Sequence, residues 1–156
     1  MSSASAVYTR LGDDGTTGRL YGGRIDKDDH LVELCGDIDE TVSALGLARA
    51  GLNDEGMAGL VLSVQRDLFV VAADVMANPR ARQRLVDGVS RVVPEMTTRL
   101  EDAIDALVAV RPLQPVFVVP GATTASAALD LARSRCRRAE RQAVRADRAG
   151  AVAPAV

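Results

Sequence analysis

A chain of 156 residues is the length of one ordinary domain and buries roughly 70% of its unfolded surface, enough to hold together without disulfides or a structural metal. Hydrophobic residues make up 47% and charged residues 26%, the balance of a globular chain rather than a disordered tail. A net charge of −2, 3% aromatics and no Trp argue against nucleic acid as a partner; two cysteines outside any CxxC spacing and one histidine exclude a disulfide scaffold, a paired-histidine metal site and an HExxH protease.

The start, Met1 to Val7, has no basic or apolar leader region, and the longest uncharged run, Pro112 to Leu129, is broken by prolines and so is not a membrane span. A reducing cytoplasm is the expected location, with no membrane partner. Charge is distributed unevenly. Residues 1–40 carry four basic groups against nine acidic ones, whereas residues 133–148 carry seven arginines against Glu140 and Asp147. The two ends of the chain can attract one another, or an anion can lie between them.

Residues 8–30 read as a glycine-rich loop without helical or strand periodicity. From Leu31, apolar residues Leu34, Cys35, Ile38, Val42, Leu45 and Ala48 recur every three or four positions, which predicts a helix beginning near Asp28 or Asp29 and fading at Gly51. A second helix is predicted from Glu55 to Ala77 on the stripe Met57, Leu60, Val61, Val64, Leu68, Val71 and Val75, stopped by Asn78-Pro79. Residues 79–92 read as a basic surface connection. Pro94 opens a third helix to about Val110, with Met96, Leu100, Ile104 and Leu107 inward. Val116–Val119 is β-branched and extended before Pro120-Gly121. A fourth helix runs from Thr124 to Arg148, with Ala128, Leu131, Ala132, Cys136 and Ala139 inward, and Gly150–Val156 is a frayed tail. Four amphipathic helices with short links predict an all-α helical bundle in a single domain, 1–156.

Two stretches can carry chemistry. In Tyr8–Gly18 the glycines let successive N–H groups turn toward one anion, threonine hydroxyls add donors, and Lys27 supplies an ammonium; there is no Walker spacing. On the fourth helix Arg133, Arg137 and Arg141 share one face, with Arg138 and Arg145 beside them and Glu140 three residues from Arg137. Like charges in one stripe need carboxylates or an anion to offset them; Asp37, Asp39 and Glu40 and a polyphosphate are the candidates. Cys35 and Cys136 read as buried and inert, and His30 as a surface residue. With no general base or metal set, an enzyme built on this chain would rely on positioning and charge stabilisation.

The motifs YTRLGDDGTTG, LYGG, KDD, GDIDETVSALGLAR, QRDLF, VFVVPGA and ARSRCRRAER, in this order, resemble the PduO-type ATP:cob(I)alamin adenosyltransferases from Tyr8 to about Val144. The resemblance implies a trimeric five-helix bundle with sites at subunit interfaces, which transfers the 5′-deoxyadenosyl group of ATP to cob(I)alamin cobalt and releases triphosphate. It implies that Thr9, Arg10, Gly12, Asp13, Gly15, Thr16, Thr17, Gly18 and Lys27 cradle the phosphates, assisted by Mg²⁺. Arg137, Arg138, Glu140 and Arg141 complete the ATP site, Arg133 pairs with Asp39 across the interface, and Phe117 presses on the corrin to displace the lower cobalt ligand. The substrates are then ATP and cobalamin, with a reductase as a further partner. No metal site of the protein's own is expected. Leu11, Val42, Ala122 and Asp130 depart from the family pattern. The family's closing YLNRLSDLLF-like segment has no counterpart before Val156, which predicts an uncovered hydrophobic groove and leaves a second reading, a diverged member that binds ATP or corrinoid without turnover.

Overall fold

A computed structural model describes residues 8–152. The element order is β1 (Thr16–Gly18), β2 (Arg24–Asp26), α1 (His30–Ala50), α2 (Glu55–Met76), a 3₁₀ turn (Pro79–Arg84), α3 (Pro94–Val110) and α4 (Thr124–Arg148). The four predicted helices are present, and α3 and α4 have the predicted bounds.

Three of the four helices start at a side-chain cap, and α3 starts at Pro94 without one. The Asp29 carboxylate accepts from the Leu31 N–H at 2.8 Å, Asp54 accepts from Met57 at 2.8 Å, and Thr123 and Ser126 form a reciprocal capping box. Helix α1 is the central element and packs against both α2 and α4. Its buried stripe, Leu31, Leu34, Ile38, Val42 and Ala48, faces small residues of α4, with Ala128, Ala132, Ala139 and Ala146 buried. Alanine at these positions lets the two helix backbones approach closely, so α4 can present long arginines beside α1 while its inner face stays narrow.

Helix α2 buries Val61, Val70 and Val75 together with two polar side chains, Gln65 and Asp74. By length and composition it could cross a membrane. Its buried polar residues are instead paired within the chain: Gln65 Nε2 donates to the Val42 carbonyl at 2.9 Å and its Oε1 accepts from Arg49 at 3.0 Å, and Asp74 is gripped by Arg82. Buried groups satisfied in this way fit a helix packed against protein.

Four expectations need correction. Residues 8–30 are more than loop, because β1 and β2 form an antiparallel hairpin with Thr17 opposite Ile25. Three-residue strands are too short to show alternation. Residues 79–92 are more than a surface connection. Asp74, 1% exposed, accepts from Arg82 and from the Val92 N–H at 2.9 Å, and Leu85 and Ser90 are buried. On α3 only Met96 is buried, whereas Leu100, Ile104 and Leu107 are exposed, as are Leu131 and Cys136 on α4. Periodicity marks an apolar face but not what covers it. In the tail, the Ala151 N–H donates to the Ala146 carbonyl at 2.9 Å, and Ala151 and Val152 pack on the core. Residues 153–156, and Met1 to Val7, lie outside the described residues.

The expected apolar groove is present. It has a volume of about 350 Å³ and runs between α1, α2 and α4 over Leu34, Ile38, Leu68, Val71 and Ala143, with Cys136 and Glu140 at its edge.

Candidate functional site

The hairpin end of the chain is stapled by its own polar groups. The Asp14 carboxylate accepts from the Thr16 N–H at 2.9 Å and from Thr16 Oγ1 at 2.8 Å. These hydrogen bonds, the Thr16 hydroxyl first, hold the carboxyl below its ordinary 3.8, with the Arg24 charge adding to the effect. Arg24 donates from Nε to Thr16 Oγ1 at 2.6 Å and from Nη2 to the Leu11 and Thr16 carbonyls. Lys27 closes the loop, donating from Nζ to the Gly12 carbonyl at 2.7 Å and from its backbone N–H to the Gly15 carbonyl at 2.9 Å. Two glycines are required here. A Cβ at Gly12 would stand 3.0 Å from the Thr16 carbonyl oxygen and 3.2 Å from Lys27 Nζ, and Gly15 has φ +83°. The ammonium of Lys27 has three donors, so its bond to Gly12 leaves two for an anion.

On α4 the arginine row is engaged with carboxylates. Arg138 forms an ion pair with Asp37, Nε to Oδ1 at 2.9 Å, and donates from Nη2 to Glu33 at 3.1 Å, and Arg135 pairs with Glu40 at 2.5 Å. The predicted match of acidic α1 to basic α4 is therefore made inside one chain. Asp37 is 3% exposed, and its Oδ2 makes no hydrogen bond among the described residues. Arg137 pairs with Glu140 at 2.6 Å, as its spacing suggests, and Arg141 donates to the Arg137 carbonyl at 2.9 Å.

The hairpin and the arginine helix meet over the first turns of α1. Lys27, Glu33, Gly36, Asp37 and Arg138 line one cleft of about 180 Å³. Lysine from the hairpin side and arginine from α4 thus face the same space, which the carboxylates of Glu33, Asp37 and Glu40 also line, so an anion there would compete with them for both cations. Other expected site residues stand apart in the single chain. Asp39 lines a separate cleft of about 340 Å³ with Ala44, Leu131 and Arg135. Arg133 pairs with Asp130 at 2.9 Å and borders a third cleft with Val118–Ala122. Phe117 is fully exposed on the extended segment. Asp14 and Arg24, which brace the loop, escaped the sequence reading because their role depends on the hairpin; the only signal was an arginine eight residues after a threonine.

Both cysteines are held as thiols. Burial pushes Cys35 up to about 11, and the exposed Cys136 is raised by the partial loss of water where it lies against the groove and then by Glu140. Among the described residues no group of three or more His, Cys, Asp or Glu could hold a metal ion.

The model of the cobalamin adenosyltransferase family matches residues 7–156. The chain belongs to that family. It is 38% identical to a corrinoid adenosyltransferase of Citrobacter freundii over 135 residues, covering 86% of this chain and 75% of the relative. It is likewise 38% identical to one from Bacillus subtilis over 143 residues, covering 88% and 70% respectively. Among solved structures, a variant PduO-type ATP:corrinoid adenosyltransferase from Lactobacillus reuteri, complexed with cobalamin and ATP, superposes with a TM-score of 0.79 at 30% identity, covering 92% of this chain and 76% of the other. The helical architecture is therefore that of the family.

Proposed function

We propose that this chain binds ATP through the hairpin loop and the α4 arginines and transfers its 5′-deoxyadenosyl group to the cobalt of cob(I)alamin. The observation that carries the reading is the shared cleft of Lys27 and Arg138, set beside the family match and the relatives complexed with ATP and cobalamin. In this reaction cobalt(I) attacks C5′ of ATP. A cobalt–carbon bond forms, the C5′–oxygen bond breaks, and its electron pair leaves with triphosphate. Cobalt(I) is itself the nucleophile, so no protein base is needed, in keeping with a loop and helix that supply donors rather than bases.

The Gly12 and Asp14 N–H groups, the Thr17 hydroxyl and Lys27 would hold the triphosphate, with Thr16 and Asp14 bracing the loop, and Arg137, with Arg138 and Arg141 beside it, would stabilise the charge that develops as it departs. Arg138, already bound to Asp37 and Glu33, fixes α4 against α1, so Arg137 is the freer guanidinium for phosphate. Mg²⁺ would enter with the triphosphate as its counterion.

The corrin side requires a second copy of the chain. Asp39 and Arg133 lie on separate clefts, and Arg133 is satisfied locally by Asp130. A homotrimer that pairs Arg133 with the partner's acidic helix and brings Phe117 against cobalamin would complete the site. Cytoplasmic residence and supply of reduced cobalamin by a reductase belong to the same reading.

The test is anaerobic incubation of the protein with ATP, Mg²⁺ and chemically reduced cobalamin. Appearance of the adenosylcobalamin spectrum is the expected result. Folded protein that binds ATP and yields no product would instead be a non-catalytic member.

A further inference from the structure

We infer that Asn78 is a positioning residue for the nucleotide loop: by tying the turn of the hairpin to the end of α2, it sets the phosphate cradle against the α1–α4 seam. The inference rests on the ATP-binding role proposed for that loop.

A two-stranded ribbon of three-residue strands is not stable alone. The turn joining these strands is also conformationally demanding, since Tyr21, Gly22 and Gly23 have φ of 65°, 93° and 84°. External ties to the turn converge on residues 76–78. The Leu20 N–H donates to the Met76 carbonyl at 3.0 Å, the Asn78 N–H donates to the Leu20 carbonyl at 2.9 Å, and Arg19 Nη2 donates to the Ala77 carbonyl at 3.0 Å. The one side chain of this segment that reaches the turn is Asn78, whose Nδ2 donates to the Gly22 carbonyl at 2.9 Å. A Cβ at Gly23 would lie 3.3 Å from that same nitrogen, so the glycine and the amide fit each other.

The opposite end of the amide does different work. Asn78 Oδ1 accepts from the Arg80 N–H at 3.0 Å and caps the 3₁₀ turn. That turn carries Arg82 to buried Asp74 and Arg84 to the Tyr21 ring, 4.4 Å from its centroid. One planar side chain therefore joins the hairpin to a rigid segment, with its donor on the loop and its acceptor on the scaffold.

This division of labour supplies the test. Asn78→Asp keeps the acceptor that caps the turn but loses the donor to Gly22, whereas Asn78→Ala loses both. Positioning of the loop predicts that both variants raise the KM for ATP by about tenfold, the order of one net hydrogen bond, while the KM for cobalamin is unchanged. Both should also speed amide exchange at Arg19 and Gly22 by a similar factor. A purely capping role predicts a wild-type Asn78→Asp beside an impaired Asn78→Ala, and that result, or exchange rates unchanged in both variants, overturns the inference. The exchange arm needs no turnover. A wild-type protein that binds no ATP in calorimetry would defeat the ATP-binding reading, and the tie itself would still be decided by exchange.

Discussion

The two long sides of the bundle differ in how finished they are within one chain. Along the α1–α4 seam, charges are matched and buried alanines close the backbone gap; Asp37, 3% exposed, meets Arg138 at 2.9 Å. Along α3 and the segment that follows it, apolar side chains face outward, with Ile104 57% exposed and Phe117 bare. A side that satisfies itself can bind a small anion alone. A side that leaves a hydrophobic row uncovered is built for a large apolar ligand or a second copy. The nucleotide half of the proposed site thus belongs to the first side and the corrin half to the second.

The largest effect that would sharpen this contrast falls on turnover. Arg137→Ala should lower the rate constant for adenosyl transfer about 10²- to 10³-fold, the scale for removing one donor from a developing anion, with melting temperature little changed because its partner Glu140 is exposed. Single-turnover spectroscopy reads it. Next comes stability along the seam. Arg138→Ala strands the buried Asp37 carboxylate and should cost about 3 kcal/mol in urea unfolding, whereas Glu33→Ala, which removes only an exposed partner of that guanidinium, should cost less than about 1 kcal/mol. Equal losses would erase the distinction between buried and exposed carboxylates.

On the open side, Ile104→Asp should change monomer stability by less than about 1 kcal/mol, since the side chain is already half in water, yet shift assembled protein toward monomer in sedimentation. A last effect, confined to alkaline solution, is in pH dependence. The Cys35 thiol is pushed up to about 11 from 9.0, so above pH 9 the unfolded chain loses a proton that the folded chain keeps. Stability should decline from pH 9 to about 11 and then level off, and Cys35→Ala should flatten that part of the profile.

Much of this was legible in the sequence because it rests on local rules. The spacing of Leu31, Leu34 and Ile38 and the caps at Asp29, Asp54 and Thr123 place the helices with little help from tertiary structure. The match of acidic α1 to the α4 arginines was readable from charge alone, although which carboxylate meets which guanidinium was not: Asp37 takes Arg138 and Glu40 takes Arg135. What stayed hidden depends on distant partners. Strands of three residues carry no periodic signal, so the hairpin depends on Arg24, Lys27 and the anchor at residues 76–78. Buried Gln65 and Asp74 interrupt an apolar stripe, and only the Val42 carbonyl and Arg82 explain them. The outward faces of α3 and Leu131 are apolar although no other described element covers them.

The most direct test of the account is a crystal structure of the protein with ATP. It predicts triphosphate oxygens within hydrogen-bond distance of the Gly12 and Asp14 N–H groups and of Lys27, with an α4 arginine, Arg137 foremost, on the same phosphates. ATP bound away from either element, with the Lys27 and Arg138 cleft unaltered, would contradict it.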